Sequence, residues 1–391
     1  MTQSTNTEDE PRLIEAEAVP NRFARGWHCL GLVRDFADGK PHSVQAFGTK
    51  LVIFQGKDGE LKALDAYCRH MGGDLSQGTV KDGNVACPFH DWRWSGEGRC
   101  VDIPYARRVP LRARTRAWHT LSQSGQFFVW HDPEGNPPDP ALQPPVVEGY
   151  GEDSWTEWIW TSIEIDTNCR EVIDNVVDMA HFFYIHYSMP TYFRNVFEGH
   201  TATQYMRGTT RDDMTPLGST EQTGAFVSNS HEAAYFGPSY MIDKVVNEYE
   251  KATNRSVLIN CHYPVTENKF ILQYGVIVEK QGSVSPELAE ATAKALTARL
   301  RTGFLQDVEI WVNKTRIDNP LLCEEDGPVY QLRRWYSQFY VDAADVTEDM
   351  TNRFEYEIDT SKALASWQAE VEENLRRNNG RPMQIADLTG S

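Results

Sequence analysis

Cys68-Arg69-His70 and Cys87-Pro88-Phe89-His90, separated by 16 residues, are the two stretches that decide the fold of this 391-residue chain. Each stretch offers one cysteine and one histidine to a shared metal centre. This division suits a two-iron, two-sulfide cluster in which both cysteines bind one iron and both histidines bind the other. A structural zinc site is the alternative, although zinc fingers usually place two cysteines on one loop and two histidines on the other.

The overall composition limits the class of protein. Hydrophobic residues make up 40% of the chain, which is ordinary for a globular protein, and no run of 18 apolar residues predicts a membrane span. The net charge of −18 argues against nucleic acid or an anionic membrane as the main partner. The seven cysteines show no disulfide pattern, and the polar N terminus does not resemble a secretory signal. These features predict a cytoplasmic protein.

The pattern along the chain predicts a flexible N-terminal tail at residues 1–20, followed by an all-β domain over residues 21–145. Short strands such as Lys50–Phe54 and Gln126–Trp130 are broken by turn residues, and the two cysteine–histidine loops are expected at the tip of this domain. The last part, residues 132–145, carries six prolines and predicts a stiff connector.

The second predicted domain, residues 146–391, mixes helices with sheet. Cys169–Ile185 and Ser285–Lys314 are predicted helices, the second of them divided near Gly303. Thr201–Val278 alternates apolar and polar residues, which is typical of sheet. The predicted fold class is therefore α+β, an all-β domain followed by a domain of helices and antiparallel sheet.

A second metal site is predicted in the first of these helices. Asp174, Asp178 and His181 share one helical face, and His186 follows five residues after His181. Both imidazoles reach one ion only if the helix loosens or ends between them. Buried core histidines are the alternative, but a redox cluster in the same chain favours the metal site.

The third ligand of this site is expected from the later helix. Two histidines leave an iron(II) ion one carboxylate short of a facial triad. Asp307 and Glu309 are the candidates. Asp307 is preferred because it shares a face with Phe304 and Trp311, so that it points toward the core, where a carboxylate needs a cation.

On the basis of these motifs, we find that the sequence resembles the Rieske non-haem iron oxygenases over nearly its whole length. That family joins a Rieske domain to a catalytic domain with an Asp-x2-His-x4-His helix and a late aspartate, so the resemblance implies that residues 146–391 form a helix-grip-like catalytic domain. Within it, the segments Cys68–His90, Asn175–His186 and Gln306–Trp311 resemble the oxygenase components of 3-ketosteroid 9α-hydroxylases. The resemblance implies O2-dependent 9α-hydroxylation of androstenedione-like 3-ketosteroids in bacterial steroid degradation.

The resemblance also implies roles for particular residues. The ligands of the [2Fe–2S] Rieske cluster would be Cys68, His70, Cys87 and His90. The ligands of a mononuclear Fe(II) would be His181, His186 and Asp307. Asp178 would link this iron to a cluster histidine of a neighbouring subunit in a homotrimer, with Asn175 beside it. For Asp174, a simple position on the helix surface is preferred.

A steroid slot is implied by the same resemblance. Its predicted lining residues are Val176, Gln204, Tyr235, Met241, Asn260, Phe304 and Trp311. Asp243 falls in the same region, where a neutral amide would be more natural, and this departure leaves the exact steroid open.

The chain has no G-x-G-x-x-G fingerprint for a flavin or nicotinamide, so a separate flavin and iron–sulfur reductase fed by NADH is expected to supply electrons. Five arginines crowd the segment after the cluster loops: Arg107, Arg108, Arg112, Arg114 and Arg116. They either steer an acidic reductase toward the cluster or pair with local carboxylates.

Two other functions remain open from the sequence. One is a different Rieske oxygenase, such as a sterol desaturase or an aromatic-ring oxygenase. The other is a Rieske electron carrier with an appended interaction domain, in which the second set of metal ligands would be accidental.

Overall fold

The fold is known from a computed structural model that describes residues 13–214, 225–280 and 285–383. Its α+β class agrees with the prediction. Within these ranges no helix has both the length and the apolar content needed to cross a bilayer.

The N-terminal domain consists of short antiparallel strands. They are β1 Gly26–Leu32, β2 His42–Ala46, β3 Thr49–Gln55, β4 Leu61–Asp65, β5 Thr79–Lys81, β6 Asn84–Ala86, β7 Arg93–Trp94, β8 Cys100–Asp102, β9 Ala117–Trp118, β10 Thr120–Gln123 and β11 Gln126–His131. Their orders in three sheets are β1-β11-β10, β2-β3-β4-β9 and β5-β6-β7-β8. The two strands predicted from sequence are confirmed as β3 and β11.

The catalytic domain is built on one antiparallel sheet of eight strands within the described residues. The strands are β12 Ile159–Ile165, β13 Ser188–Glu198, β14 Thr201–Thr210, β15 Phe226–Phe236, β16 Tyr240–Tyr249, β17 Thr253–Thr266, β18 Lys269–Val278 and β19 Phe354–Glu357. The order β12-β18-β17-β16-β15-β14-β13-β19 keeps successive strands adjacent from β13 to β18. The alternating segment Thr201–Val278 is therefore sheet, as predicted.

Helices complete the catalytic domain. They are a 3₁₀ helix at Cys169–Val176, α1 Ala180–Tyr184, α2 Pro286–Asn313, α3 Val329–Ser337, α4 Glu348–Thr351 and α5 Ser361–Arg377. Shorter 3₁₀ turns lie at Val33–Asp35, Leu75–Gln77, Pro140–Leu142, Glu324–Asp326 and Ala343–Asp345. The predicted domain boundary at residue 145 lies in the connection between β11 and β12.

The prediction of one helix over Cys169–Ile185 is wrong. The 3₁₀ helix ends where the Asn195 side-chain amide donates to the Val176 carbonyl (2.8 Å), which removes an acceptor from any continuing helix. A new helix, α1, starts where the Asp178 carboxylate accepts from the His181 backbone N–H (3.1 Å). Because α1 ends at Tyr184, His186 lies outside it, as the metal-site argument requires.

The predicted division of the later helix at Gly303 is also wrong, because α2 is continuous from Pro286 to Asn313. A single glycine costs a helix interior only about 1 kcal/mol, which tertiary packing readily outweighs. The His186 imidazole packs against this glycine, since a Cβ built at Gly303 lies 3.6 Å from His186 Nδ1.

The two faces of the large sheet have different partners. One face packs on the N-terminal domain, where Trp27 and Trp130 share a buried core with Ile242 and Ile259. Fully burying an apolar side chain of this kind stabilises the fold by about 1.5–3 kcal/mol. The opposite face packs on α2, for example through Val278 and Ala293. The space between this second face and the helices is where the predicted slot residues lie.

The N-terminal segment departs from the predicted flexible tail. Residues 1–12 lie outside the described residues, but Glu17 binds both Arg170 and Arg316 (2.9 Å each) in the catalytic domain. Its backbone N–H also donates to the Arg316 carbonyl (2.9 Å). Contacts with the catalytic domain begin at Leu13, whose carbonyl accepts from the Asn319 side-chain amide (3.3 Å).

Asp174 is not on the helix surface, contrary to the prediction. Its side chain is largely buried, and its carboxylate oxygen Oδ2 forms ion pairs with the guanidinium groups of Arg316 (2.9 Å) and Arg333 (2.8 Å). Burial alone would raise the pKa of this carboxyl, but the two guanidinium groups hold it below its ordinary value. Asp174 therefore fixes the 3₁₀ helix to α3 as an ionised group.

Candidate metal centres

The two cysteine–histidine loops fold in the same way. The Cys68 backbone N–H donates to the Gly73 carbonyl (2.8 Å), and the Gly72 N–H donates back to the Cys68 carbonyl (2.9 Å). Cys87 makes the same two bonds with the residues five and four positions after it, at 2.9 Å each. The fourth residue after each cysteine has a positive φ, 75° in the first loop and 55° in the second. Two matching turns thus present one ligand pair each.

The loops approach each other so closely that only glycine fits at one contact. A Cβ at Gly73 would lie 2.7 Å from Cys87 Sγ. Cys68 and Cys87 are both buried, and burial raises the pKa of the Cys68 thiol to about 11, with a further contribution from Cys87. Such thiols ionise when a cation binds them, so the donor set fits an iron–sulfur centre.

The histidines of the loops lie nearer the surface than the cysteines. The His70 and His90 rings are 4.7 Å apart, and both residues are partly exposed. His90 Nδ1 is buried without a hydrogen-bond partner, which is the environment of a nitrogen that binds a metal. Together the loops bring all four predicted cluster residues to one tip of the domain.

Two aromatic residues, Trp92 and Tyr105, connect this tip to the surface. The sequence analysis did not identify them as part of the site. Trp92 stacks on His70 with the rings 4.5 Å apart and 7° from parallel, and its indole N–H donates to the Tyr105 hydroxyl (2.8 Å). The available signal was an aromatic residue two positions after the last histidine. Four exposed side chains around the loops form what we call the apolar tip: Tyr67, Met71, Phe89 and Tyr105.

The second set of predicted ligands also converges. One ligand atom each of His181, His186 and Asp307 lies within 4.8 Å of the others, and His186 Nε2 is 3.4 Å from Asp307 Oδ2. Asp307 is only 5% exposed. Glu309, the other candidate, is exposed on the far side of α2. Two imidazoles and one carboxylate on one side of an ion leave the other side open, which is the donor set of non-haem iron(II).

Local structure orients His181 for metal binding. Its Nδ1 is hydrogen-bonded to the Asp178 backbone carbonyl, so the proton is held on Nδ1 and the Nε2 lone pair is free. Burial lowers the pKa of His181, and the neighbouring His186 lowers it further. The neutral imidazole that a metal requires is therefore the form that the fold favours.

Asp178 and Asn175 border an open cleft beside these ligands. The Asp178 side chain is 48% exposed although it bonds the His181 backbone. Asn175 Oδ1 accepts from the Trp311 indole N–H (3.3 Å). The cleft, of about 340 Å³, is lined by Asp178, His181 and Asp307 among others. Its lining places Asp178 where a second molecule can reach it.

The predicted steroid residues lie behind this cleft rather than on it, with Trp311 alone of the seven lining it. Tyr235, Met241 and Asn260 occupy one row across three adjacent strands of the α2-facing side of the sheet. The other four lie around this row: Val176 packs with Tyr235, Gln204 lies one strand away on β14, and Phe304 packs on Tyr274 beside Trp311. The structure thus groups the seven between sheet and helices.

Comparison with known proteins agrees with this architecture. The family model described as the Rieske [2Fe-2S] domain matches residues 26–113, and the model described as the 3-ketosteroid 9alpha-hydroxylase C-terminal domain matches residues 129–340. The first match favours the Rieske cluster over zinc. The second spans the 3₁₀ helix, α1 and α2, so it opposes an electron carrier in which their ligands are accidental.

Similar proteins give the same result. A 3-ketosteroid-9-alpha-monooxygenase oxygenase component of Rhodococcus rhodochrous is 62% identical over 94% of this chain and 94% of its own length. Its counterpart in Mycobacterium tuberculosis is 59% identical over 93% and 94%. Dicamba monooxygenase with non-heme iron and dicamba shares the fold, with a TM-score of 0.62, 19% identity, and coverage of 83% of this chain and 99% of that one. The chain therefore belongs to the family of 3-ketosteroid-9-alpha-monooxygenase oxygenase components, with a Rieske [2Fe-2S] domain followed by a 3-ketosteroid 9alpha-hydroxylase C-terminal domain.

Proposed function

We propose that this protein is the terminal oxygenase of a multicomponent monooxygenase that hydroxylates 3-ketosteroids at the 9α position with O2. The observation that carries the proposal is the convergence of His181, His186 and Asp307 beside the predicted slot. It occurs in a chain 62% identical to a 3-ketosteroid-9-alpha-monooxygenase oxygenase component. Androstenedione-like steroids are the proposed substrates, and bacterial steroid degradation is the proposed setting.

The protein's own residues supply placement and control of water. When bound, the cluster delivers single electrons and the mononuclear iron offers open positions for O2. Asp307 is buried, so its carboxylate is kept for the ion rather than for solvent. Phe304 and Trp311 lie at i−3 and i+4 of Asp307 and flank it on one helix face. A flat apolar substrate between them and the sheet would have its target C–H held near the ligands, which is a large part of what such a site contributes.

Iron content and product together test this proposal. The purified holoprotein is expected to contain three irons per chain and, with a reductase, NADH and O2, to convert 3-ketosteroids to 9α-hydroxylated products identified by NMR. Two irons per chain would instead support the electron carrier. Three irons with a desaturated or ring-dihydroxylated product would support a different Rieske oxygenase.

A head-to-tail homotrimer is the proposed assembly. The apolar tip and the cleft beside Asp178 are both exposed in the single chain, and Leu322 and Ile310 add apolar surface at the cleft. Charge also favours contact between the N-terminal domain of one subunit and the catalytic domain of the next. Residues 21–145 carry 16 basic and 13 acidic side chains, whereas the whole chain has a net charge of −18, so the rest of the chain is strongly acidic. The tip of one subunit seated in the cleft of the next would bring its cluster histidines toward Asp178.

The compartment and the electron source complete the proposal. All seven cysteines are free of disulfides, which suits the reducing cytoplasm. Electrons are proposed to come from a separate flavin and iron–sulfur reductase fed by NADH. Arg107, Arg108, Arg112 and Arg114 are exposed and form no ion pair with a carboxylate within the described ranges, so local pairing does not account for them. Arg116 instead lies over the Trp118 ring (3.8 Å).

The double substitution Arg112→Glu and Arg114→Glu tests whether these arginines dock the reductase. Reductase-coupled turnover is expected to fall about tenfold at low salt and much less at high salt, because steering by charge acts on the association rate and is screened by ions. Reaction with a small chemical reductant should be unchanged. The matched control, Arg376→Glu with Arg377→Glu on α5, makes the same charge change on the other domain. Equal losses with both electron donors, or dissociation of the oligomer, would contradict reductase docking.

A further inference from the structure

A histidine–aspartate pair, with the aspartate buried and the histidine half-buried, lies on the slot side of the sheet and has no role in the function described so far. His231 on β15 and Asp243 on β16 are joined through Nδ1 and Oδ2 at 2.9 Å. Asp243 is 8% exposed, and its second carboxylate oxygen, Oδ1, is buried without a hydrogen-bond partner. A buried acceptor without a partner is unfavourable, so this oxygen is suited to receive a donor from a ligand.

The strand register places this oxygen at one end of the predicted slot. Asp243 pairs with Ala233, and Ala233 pairs with Gln204 on the next strand. Directly paired residues share a face, so Gln204 and Asp243 project to the same side, about 10 Å apart across two strand spacings. The residue between them, Ala233, has a small side chain on the same face. Met241, two residues from Asp243 on the same strand, is on the same face.

The chemistry of the two ends of this gap differs. The Gln204 amide carries both donors and an acceptor, whereas an ionised carboxylate oxygen only accepts. A ketone also only accepts, so a ketone placed against Asp243 would leave two acceptors facing each other. A hydroxyl group can donate to the free oxygen while His231 holds the other one.

We infer that Asp243, positioned by His231, is a specificity-determining residue that binds a hydroxyl group at the end of the steroid. The inference rests on the proposed function and narrows its substrate class. The preferred 3-ketosteroid is one that carries a hydroxyl, rather than a ketone or a carboxylate, on the ring remote from the 3-keto group. A carboxylate at that position would meet the like charge of Asp243 and bind more weakly still.

Two matched steroids test the inference in the holoenzyme with its reductase. They are a 3-ketosteroid with a hydroxyl on the remote ring and its oxidised partner with a ketone there. The wild-type ratio of kcat/KM, hydroxyl over ketone, is expected to be about 10 or more. Asp243→Asn should lower this ratio at least tenfold and favour the ketone, because His231 still occupies the side-chain oxygen while the amide N–H2 faces the substrate. Glu232→Gln, an exposed acidic position next to His231 on the opposite face, should leave the ratio unchanged.

Further measurements keep the result interpretable. Iron content and circular dichroism establish that Asp243→Asn is folded, and steroid Kd values measured by titration without reductase report binding alone. Ala233→Val, which narrows the same gap, should raise the KM of both steroids while the iron content stays constant. Ratios within twofold of each other in wild type and Asp243→Asn, or a wild-type preference for the ketone, would overturn the inference. The proposed function fails separately, if neither steroid is hydroxylated by the wild-type enzyme.

Discussion

Replacing His186 by alanine is expected to abolish steroid hydroxylation while leaving the visible spectrum of the Rieske cluster intact. His186 supplies one of three ligand atoms that lie within 4.8 Å of one another, and its loss leaves only His181 and Asp307. Even residues that only orient metal ligands change affinity or activity 10–100-fold when replaced. Loss of a direct ligand should therefore lower turnover by more than about 100-fold and reduce the iron content from three to two per chain.

The cluster is expected to survive because its predicted ligands belong to the other domain, within the segment that matches the Rieske model. His200→Ala is a suitable control, since His200 lies in the turn between β13 and β14 and belongs to neither ligand set. It should retain three irons and wild-type turnover. Wild-type turnover in His186→Ala would remove His186 from the catalytic site, and loss of the cluster spectrum would indicate misfolding instead.

The features that the sequence predicted well depend on short-range patterns. The cysteine–histidine loops are recognised from spacing alone, because each ligand pair lies within four residues and the turn is local. Asp307 was preferred over Glu309 because helical periodicity holds across α2, and the structure buries Asp307 and exposes Glu309. Both conclusions needed no knowledge of distant contacts.

The predictions that were wrong concern features that depend on contacts between distant parts of the chain. The break after Val176 follows from a bond to Asn195 on another element. Asp174 is buried by Arg316 and Arg333, which are 142 and 159 residues away. Periodicity reports only which face a helix turns toward its surroundings, and cannot show which charges those surroundings contain. The same limit hid His231, whose pairing with Asp243 appears only once the strand register is known.

Asp178→Asn is expected to retain both metals and yet slow electron transfer from the cluster to the mononuclear iron by about 10–100-fold. The Asp178 carboxylate accepts the His181 backbone N–H through Oδ1, and asparagine can keep this bond with its own oxygen. The start of α1 and the orientation of His181 should therefore be preserved. The second oxygen, in a side chain that is half exposed at the cleft, becomes an N–H2 group that cannot accept a hydrogen bond from a cluster histidine of the next subunit.

A single-turnover experiment isolates this step, with the pre-reduced enzyme mixed rapidly with O2 and steroid and the cluster oxidation followed by absorbance. Asp326→Asn is the matched control, because Asp326 lines the same cleft and its removal makes the same charge change without touching His181. Cluster oxidation at the wild-type rate in Asp178→Asn would exclude the bridging role. A fully active monomer would exclude the intersubunit path altogether. Slow oxidation in Asp178→Asn alone, with three irons still bound, would place Asp178 between the two metal centres of neighbouring subunits.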